Sequence, residues 1–130
     1  MRESDFVVLS ARLSSETSKM IGAREIAEMK PTAYLVNAGR GGLLDYDALR
    51  KALMEKRIAG AALDVYDAEP PVQDDVLLKL PNVTVTPHIG GASIDVLYKA
   101  SGMLAAEIRR FLRGEPLQYC LNPEIWKERH

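Results

Sequence analysis

Apolar residues recur along this chain in short blocks of two alternating kinds. Phe6-Val7-Val8-Leu9, residues 33–37 (Ala-Tyr-Leu-Val-Asn), residues 59–65 (Ala-Gly-Ala-Ala-Leu-Asp-Val) and residues 83–86 (Val-Thr-Val-Thr) are brief apolar or β-branched runs. They read as strands, the first of them as a buried one. The segments between them carry helical spacing. Residues 23–29 predict a short helix that Pro31 ends, because the residue before a proline is pushed out of the α region. Asp45 is placed to cap a second helix, with Leu49, Ala52 and Leu53 on one face, continuing through residues 54–57. Ser93 is placed to cap a third, running to about residue 113. Its apolar face is Val96, Leu97, Ala100, Leu104, Ile108, Phe111 and Leu112, and Gly114 and Pro116 stop it. Ser14-Ser15-Glu16-Thr17 suits a turn or a helix start, and Val76-Leu77-Leu78 a single helical turn.

Strands separated by helices of this length imply an α/β fold: a parallel sheet with flanking helices, joined by right-handed crossovers. Sheets of this kind bind ligands beyond the carboxyl ends of their strands. The positions that matter are therefore Ser10-Ala11-Arg12, Ala38-Gly39-Arg40, Asp64 with Glu69, and His88-Ile89-Gly90-Gly91.

Composition narrows the chemistry. The chain has 130 residues, 47% hydrophobic and 27% charged, with a formal net charge of -1. That is enough chain for a real core, and the balance gives no electrostatic reason to expect nucleic acid or a membrane surface as partner. The apolar runs are far too short for a membrane span. The N-terminal residues lack the basic-then-apolar order of a signal peptide, so a cytoplasmic location is expected. One cysteine, Cys120, allows no internal disulfide. With only two histidines, His88 and His130, no metal site is expected.

Several residues just past the strands invite chemistry. Arg40 sits between glycines, where a guanidinium can hold a carboxylate through parallel hydrogen bonds or pair with a nearby acid of the turn itself. Gly39-x-Gly41 resembles the start of a dinucleotide fingerprint, but Leu44 stands where the third glycine belongs, so it is rejected as a phosphate loop. His88 is a ready general base near neutral pH, or a histidine that closes a loop by hydrogen bonding. Glu69 can orient an imidazole or remain a solvated loop acid. Asp64 closes an apolar strand, where an unpaired charge is costly, so it needs a specific donor in the protein or on a ligand.

Four segments in this order resemble the D-isomer-specific 2-hydroxyacid dehydrogenases, a family that includes phosphoglycerate dehydrogenase. They are Met29-Lys30-Pro31-Thr32-Ala33 through Val36-Asn37-Ala38-Gly39-Arg40-Gly41-Gly42; Asp45 through Ala48-Leu49; Ile58-Ala59-Gly60 through Leu63-Asp64-Val65-Tyr66-Asp67-Ala68-Glu69-Pro70; and Leu80-Pro81-Asn82-Val83 through Thr86-Pro87-His88-Ile89-Gly90-Gly91-Ala92. The resemblance spans nearly the whole chain. It implies the C-terminal half of a Rossmann-like NAD-binding domain over residues 5–114, with its last helix, followed by a tail over residues 115–130. It implies that Arg40 binds the substrate carboxylate and carbonyl, that His88 is the general acid/base for the C2 hydroxyl, and that Glu69 pairs with it. Asp64 would hydrogen-bond the nicotinamide carboxamide. Ala38, Gly39, Arg40 and the run His88, Ile89, Gly90, Gly91 would surround the nicotinamide and its ribose. The cofactor is NAD, with NADP also admitted; the substrate is a small 2-hydroxy or 2-oxo acid, and the assembly a homodimer.

Two departures stand out. Family members commonly carry a small residue and a proline after the first strand, where this chain has Ala11-Arg12. The chain also contains no Gly-x-Gly-x-x-Gly and no substrate domain. It is therefore expected to be a fragment of such an enzyme, with little or no turnover alone. A second reading is an inactive remnant that dimerises. The third, an autonomous nucleotide-binding module, has least support because no phosphate cradle is present.

Overall fold

The computed structural model describes residues 1–124. It divides into two compact units, Met1–Gly90 and Gly91–His130. The first holds four strands, β1 (Phe6–Leu9), β2 (Tyr34–Asn37), β3 (Gly60–Leu63) and β4 (Val83–Val85), with helices α1 (Ala23–Ala27) and α2 (Tyr46–Met54). The strands run parallel in the order β1-β2-β3-β4. Single 3-10 turns occupy Gly41–Leu43 and Val76–Leu78.

Local chemistry explains where the helices start. Asp45 accepts hydrogen bonds from the amides of Asp47 and Ala48, capping α2, and Glu25 reaches back to the Gly22 amide at the start of α1, each satisfying an amide that the helix leaves unpaired. The register aligns Val7, Leu35, Ala61 and Val83 across the sheet, and likewise Leu9, Asn37, Leu63 and Val85. Alternate residues of a strand face opposite sides. Leu9, Leu35, Ala61 and Leu63 accordingly join Ile26, Tyr46, Leu49, Ala52 and Leu53 of the helices in one core.

The first strand is not the buried strand expected: of its four residues only Leu9 is buried. Phe6 is 66% and Val8 60% exposed, because β1 lies at an edge of the sheet and these two side chains point away from the core that Leu9 joins. Phe6 stacks on Tyr34 with ring centroids 5.7 Å apart, which shields part of both rings. The Ser14–Thr17 segment is a turn, not the start of a helix. The Ser14 amide donates to Thr17 Oγ1, and the Thr17 hydroxyl donates to the Arg12 carbonyl.

The second unit is built on α3 (Ile94–Leu112), capped by the Ser93 hydroxyl, which accepts from the Val96 amide. No residue of α3 is buried. No helix among the described residues is long and apolar enough to cross a membrane.

Candidate active site

Every candidate side chain of the first unit is mounted just past a strand, and each mount is held by specific bonds. Beyond β2, the fully buried Asn37 accepts the Gly39 amide on Oδ1 and donates through Nδ2 to the Arg40 carbonyl. This folds the chain so that Arg40 projects from the turn into solvent, its Nη1 donating to the Gly39 carbonyl at 2.8 Å. Gly41 follows because nothing larger fits: a Cβ there would lie 1.7 Å from the Tyr66 carbonyl oxygen. The Arg40 turn thus rests directly on the loop after β3.

That loop carries Glu69. Its Oε1 accepts the Tyr66 amide at 3.1 Å, and its Oε2 lies 2.7 Å from His88 Nδ1. The His88 bond, then the Tyr66 amide, hold the Glu69 carboxyl below the usual carboxylate range, and the Arg40 charge adds to the effect. With Glu69 ionised, Nδ1 carries the proton and donates, which leaves Nε2 as the nitrogen available to a ligand. His88 itself has φ 53, in the left-handed region that side chains other than glycine seldom adopt. Such a backbone persists only where its surroundings over-determine it.

Asp64 supplies that constraint. Its Oδ1 accepts the Thr86 hydroxyl and the Ile89 amide at 2.9 Å, and its Oδ2 accepts the Gly90 amide at 2.8 Å. These donors, the Thr86 hydroxyl first, lower its pKa. Its required donors therefore lie within the protein, on the segment that carries His88. A carboxylate offers about four acceptor positions, so Oδ2 retains one. A Cβ on Gly90 would come within 2.9 Å of that oxygen.

Two further groups brace the site, and neither is a candidate in the sequence reading. The buried Tyr46 hydroxyl donates to the Val65 carbonyl and accepts from Asn37 Nδ2, joining α2 to the ends of β2 and β3; burial pushes its pKa up. Arg50 of α2 binds Asp67 and Asp75 at the two ends of the Glu69 loop. Asn37 had a legible signal, a polar residue closing an apolar strand, the same signal that singles out Asp64. Arg50 had none, since its partners lie up to 25 residues away.

The structure thus brings Glu69, His88 and Asp64 into direct contact or onto adjoining mounts, with Arg40 close enough to act electrostatically on Glu69. Ala38, Gly39 and Arg40 line a cavity of about 610 Å³ with Ser10 to Leu13. Tyr66, Glu69 and His88, with three prolines, line a smaller one of about 190 Å³. Ile89 is exposed beside His88, and Gly91 begins the second unit.

Residues 1–90 match the family model described as D-isomer specific 2-hydroxyacid dehydrogenase, NAD binding domain. The chain is 42% identical over 127 residues to glyoxylate/hydroxypyruvate reductase B of Pectobacterium carotovorum subsp. carotovorum, covering 98% of this chain and 40% of that protein. It is 46% identical over 129 residues to a glyoxylate reductase of Korarchaeum cryptofilum, covering 99% and 39%. Against a D-3-phosphoglycerate dehydrogenase of Methanocaldococcus jannaschii it is 45% identical over 130 residues, covering 98% and 24%. The chain therefore spans well under half the length of these relatives. Among solved structures, the NAD-complexed D-isomer specific 2-hydroxyacid dehydrogenase of Lactobacillus delbrueckii ssp. bulgaricus superposes with a TM-score of 0.86 at 32% identity, over 92% of this chain and 40% of that one. The Xanthobacter autotrophicus Py2 enzyme in complex with NADPH and MES gives 0.79 at 36% identity, over 96% and 51%. The parallel sheet, the strand-end mounts and these matches agree: the chain belongs to the D-isomer specific 2-hydroxyacid dehydrogenases, within their Rossmann-like NAD-binding domain.

Proposed function

We propose that this chain carries the carboxylate-binding and proton-transfer residues of an oxidoreductase moving a hydride between NAD(H), or NADP(H), and a D-2-hydroxy acid or its 2-oxo acid. The observation that carries this reading is the 2.7 Å bond between Glu69 and His88 Nδ1, set within electrostatic reach of Arg40.

The residues fit the nicotinamide end of such a cofactor. Asp64 Oδ2 keeps an acceptor position for a carboxamide N–H, and the Ala38-Gly39 backbone borders an open cavity. On the motif match, Asp64, Ala38, Gly39 and the run from His88 to Gly91 are assigned to the nicotinamide and its ribose. The 130 residues hold no Gly-x-Gly-x-x-Gly turn, so the fit concerns that end alone.

When bound, the nicotinamide supplies or takes up the hydride at C2. Arg40 binds the acid's carboxylate through paired N–H donors and so fixes C2 in place. His88 Nε2 holds the proton exchanged with the C2 oxygen, donating it in reduction and accepting it in oxidation. A general acid/base of this kind contributes about 100- to 10,000-fold in rate. Glu69 acts through His88: it fixes the tautomer and stabilises the imidazolium formed when a hydroxy acid is oxidised.

We further read the protein as a cytoplasmic homodimer. The support is the exposed apolar surface of α3, including Leu97, Leu104 and Ile108, and the free thiol of Cys120. The same helix favours the second reading, a fragment without activity that dimerises.

Oxamate, a non-reacting mimic of a 2-oxo acid, tests the first reading directly, with binding followed at the His88 imidazole resonance. Binding that disappears in Arg40→Gln supports it; binding unchanged in Arg40→Gln contradicts it. Little or no oxidation of NADH with glyoxylate, hydroxypyruvate or pyruvate is expected of the chain alone. Robust turnover that vanishes in His88→Ala would show that these residues suffice.

A further inference from the structure

Tyr66 reaches the mounts of both Glu69 and His88, the first through its backbone and the second through its side chain. Its amide donates to Glu69 Oε1 at 3.1 Å. Its hydroxyl donates to the Thr86 carbonyl at 2.8 Å, the nearer of two carbonyls in reach, the other being that of Leu63 at 3.4 Å. The residue is 7% exposed. Burial, then the charges of Asp64 and Glu69, push the phenol pKa up, so the hydroxyl keeps its proton and remains a donor.

The backbone of Tyr66 is held from several directions. The Tyr46 hydroxyl donates to the Val65 carbonyl while Glu69 accepts the Tyr66 N–H, so the peptide joining Val65 to Tyr66 is bonded at both of its polar ends. The Tyr66 carbonyl abuts Gly41, where a Cβ would lie 1.7 Å from it. The ring therefore extends from a fixed base.

Its hydroxyl meets the chain just before His88. Asp64 holds the amides of Ile89 and Gly90, which follow that residue. Ahead of it, Asp64 holds only the Thr86 hydroxyl, and Leu63 accepts the Thr86 amide. Neither bond sets the direction of the Thr86 carbonyl; the Tyr66 hydroxyl does. The planar peptide and the proline ring carry that constraint forward. Between the held Thr86 carbonyl and the held Ile89 amide, only ψ of Pro87 and the φ and ψ of His88 remain soft. His88 has φ 53, a conformation that persists only under such restraint.

We propose that Tyr66 is a positioning residue for proton transfer, a rigid spacer that sets the separation of the Glu69 carboxylate and the His88 imidazole. This rests on the reading of Glu69 and His88 as the proton-handling pair. The hydroxyl serves His88 through the Thr86 carbonyl. A phenylalanine fills the same space and leaves that carbonyl unheld.

The test is Tyr66→Phe in the full chain, which deletes one hydroxyl and keeps the ring, the amide and the carbonyl. Glu69 is followed by 13C titration and the His88 ring nitrogens by 15N NMR. Glu69 is expected to lose part of its lowered pKa, climbing less far than in His88→Ala, and the His88 ring to move from the Nδ1–H tautomer toward a mixture. Amide exchange at Ile89 and Gly90 is expected to accelerate about threefold to tenfold, the scale of one lost neutral hydrogen bond. A tyrosine that serves stability alone would lower the urea midpoint and leave the Glu69 titration and the His88 tautomer unmoved, and that result overturns the proposal. If Tyr66→Phe does not fold, Pro87→Ala decides. It keeps the hydroxyl but frees the φ that carries the constraint to His88, so the same changes at Glu69 and His88 are expected, and an unmoved pair overturns the proposal. The two readings fail separately. A Glu69 titration that is the same with and without His88 sinks the pair and this proposal with it. A pair that is present but indifferent to Tyr66→Phe removes only the positioning role.

Discussion

Arg50 grips Asp75 with two parallel donors, Nε to Oδ1 at 3.1 Å and Nη2 to Oδ2 at 2.6 Å. The Asp75 side chain is 4% exposed and that of Arg50 20%. Asp75 also accepts the Leu77 amide, and Arg50 reaches Asp67 at 3.1 Å. One guanidinium on α2 thus pins both ends of the loop that holds Glu69 against His88.

Removing that guanidinium leaves a buried carboxylate without its partner, which is far more costly than the pair is worth. Arg50→Met is expected to lower the stability of the first unit by about 3 kcal/mol, read from urea denaturation. A loss under about 0.5 kcal/mol, the range of a neutral surface change, would show that the clamp carries nothing.

Acid should undo the same bonds. Asp64, Glu69 and Asp75 all have pKa values lowered in the folded chain, by the Thr86 hydroxyl, the His88 ring and the Arg50 guanidinium respectively. A lowered folded pKa means that the unfolded chain binds the proton more readily. The stabilisation is complete above the ordinary carboxylate pKa and is lost as pH falls through the lower folded values. Urea midpoints are therefore expected to hold steady from neutrality to about pH 5 and to fall below about pH 4. Midpoints that rise over that acid range would contradict the assignment.

Asp64 is the clamp on the His88 segment. Asp64→Asn swaps an acceptor for an amide donor that cannot satisfy both backbone N–H groups. Hydrogen exchange at Ile89 and Gly90 is expected to accelerate by about tenfold or more, with exchange in α2 little altered. Uniform acceleration across the unit would instead mean that Asp64 serves global stability alone.

Gly41 leaves no room for a side chain. Gly41→Ala drives a methyl into the Tyr66 carbonyl and is expected to cost about 2 kcal/mol or more through forced backbone movement. Gly91→Ala meets nothing within 4 Å and provides the control in the same denaturation assay.

Much of this was legible locally. The caps at Asp45 and Ser93 hold as read, because a capping side chain acts within three residues of itself. The strand-end positions follow from the parallel topology, and that topology follows from the alternation of runs. Burial of β1 was not legible: Phe6-Val7-Val8-Leu9 is apolar at every position, so no alternation marks which face is covered. The clamps were hidden for a different reason. Arg50 with Asp75 and Gly41 with Tyr66 join residues 25 apart in the chain, and nothing in the local pattern of either partner announces the other. His88 reads as a candidate base from residue type alone, but its left-handed backbone and the Asp64 bonds that hold it belong to tertiary structure.

The central claim is that Glu69 and His88 act as one proton-handling pair. The most direct measurement is the carboxyl titration of Glu69 in the full chain by 13C NMR, before and after His88→Ala. The pair predicts a Glu69 pKa below the usual glutamate range that climbs toward it when the ring is removed, the remaining depression coming from the Tyr66 amide and then the Arg40 charge. A Glu69 titration identical in the two proteins would contradict the pair, and with it the acid/base role assigned to His88.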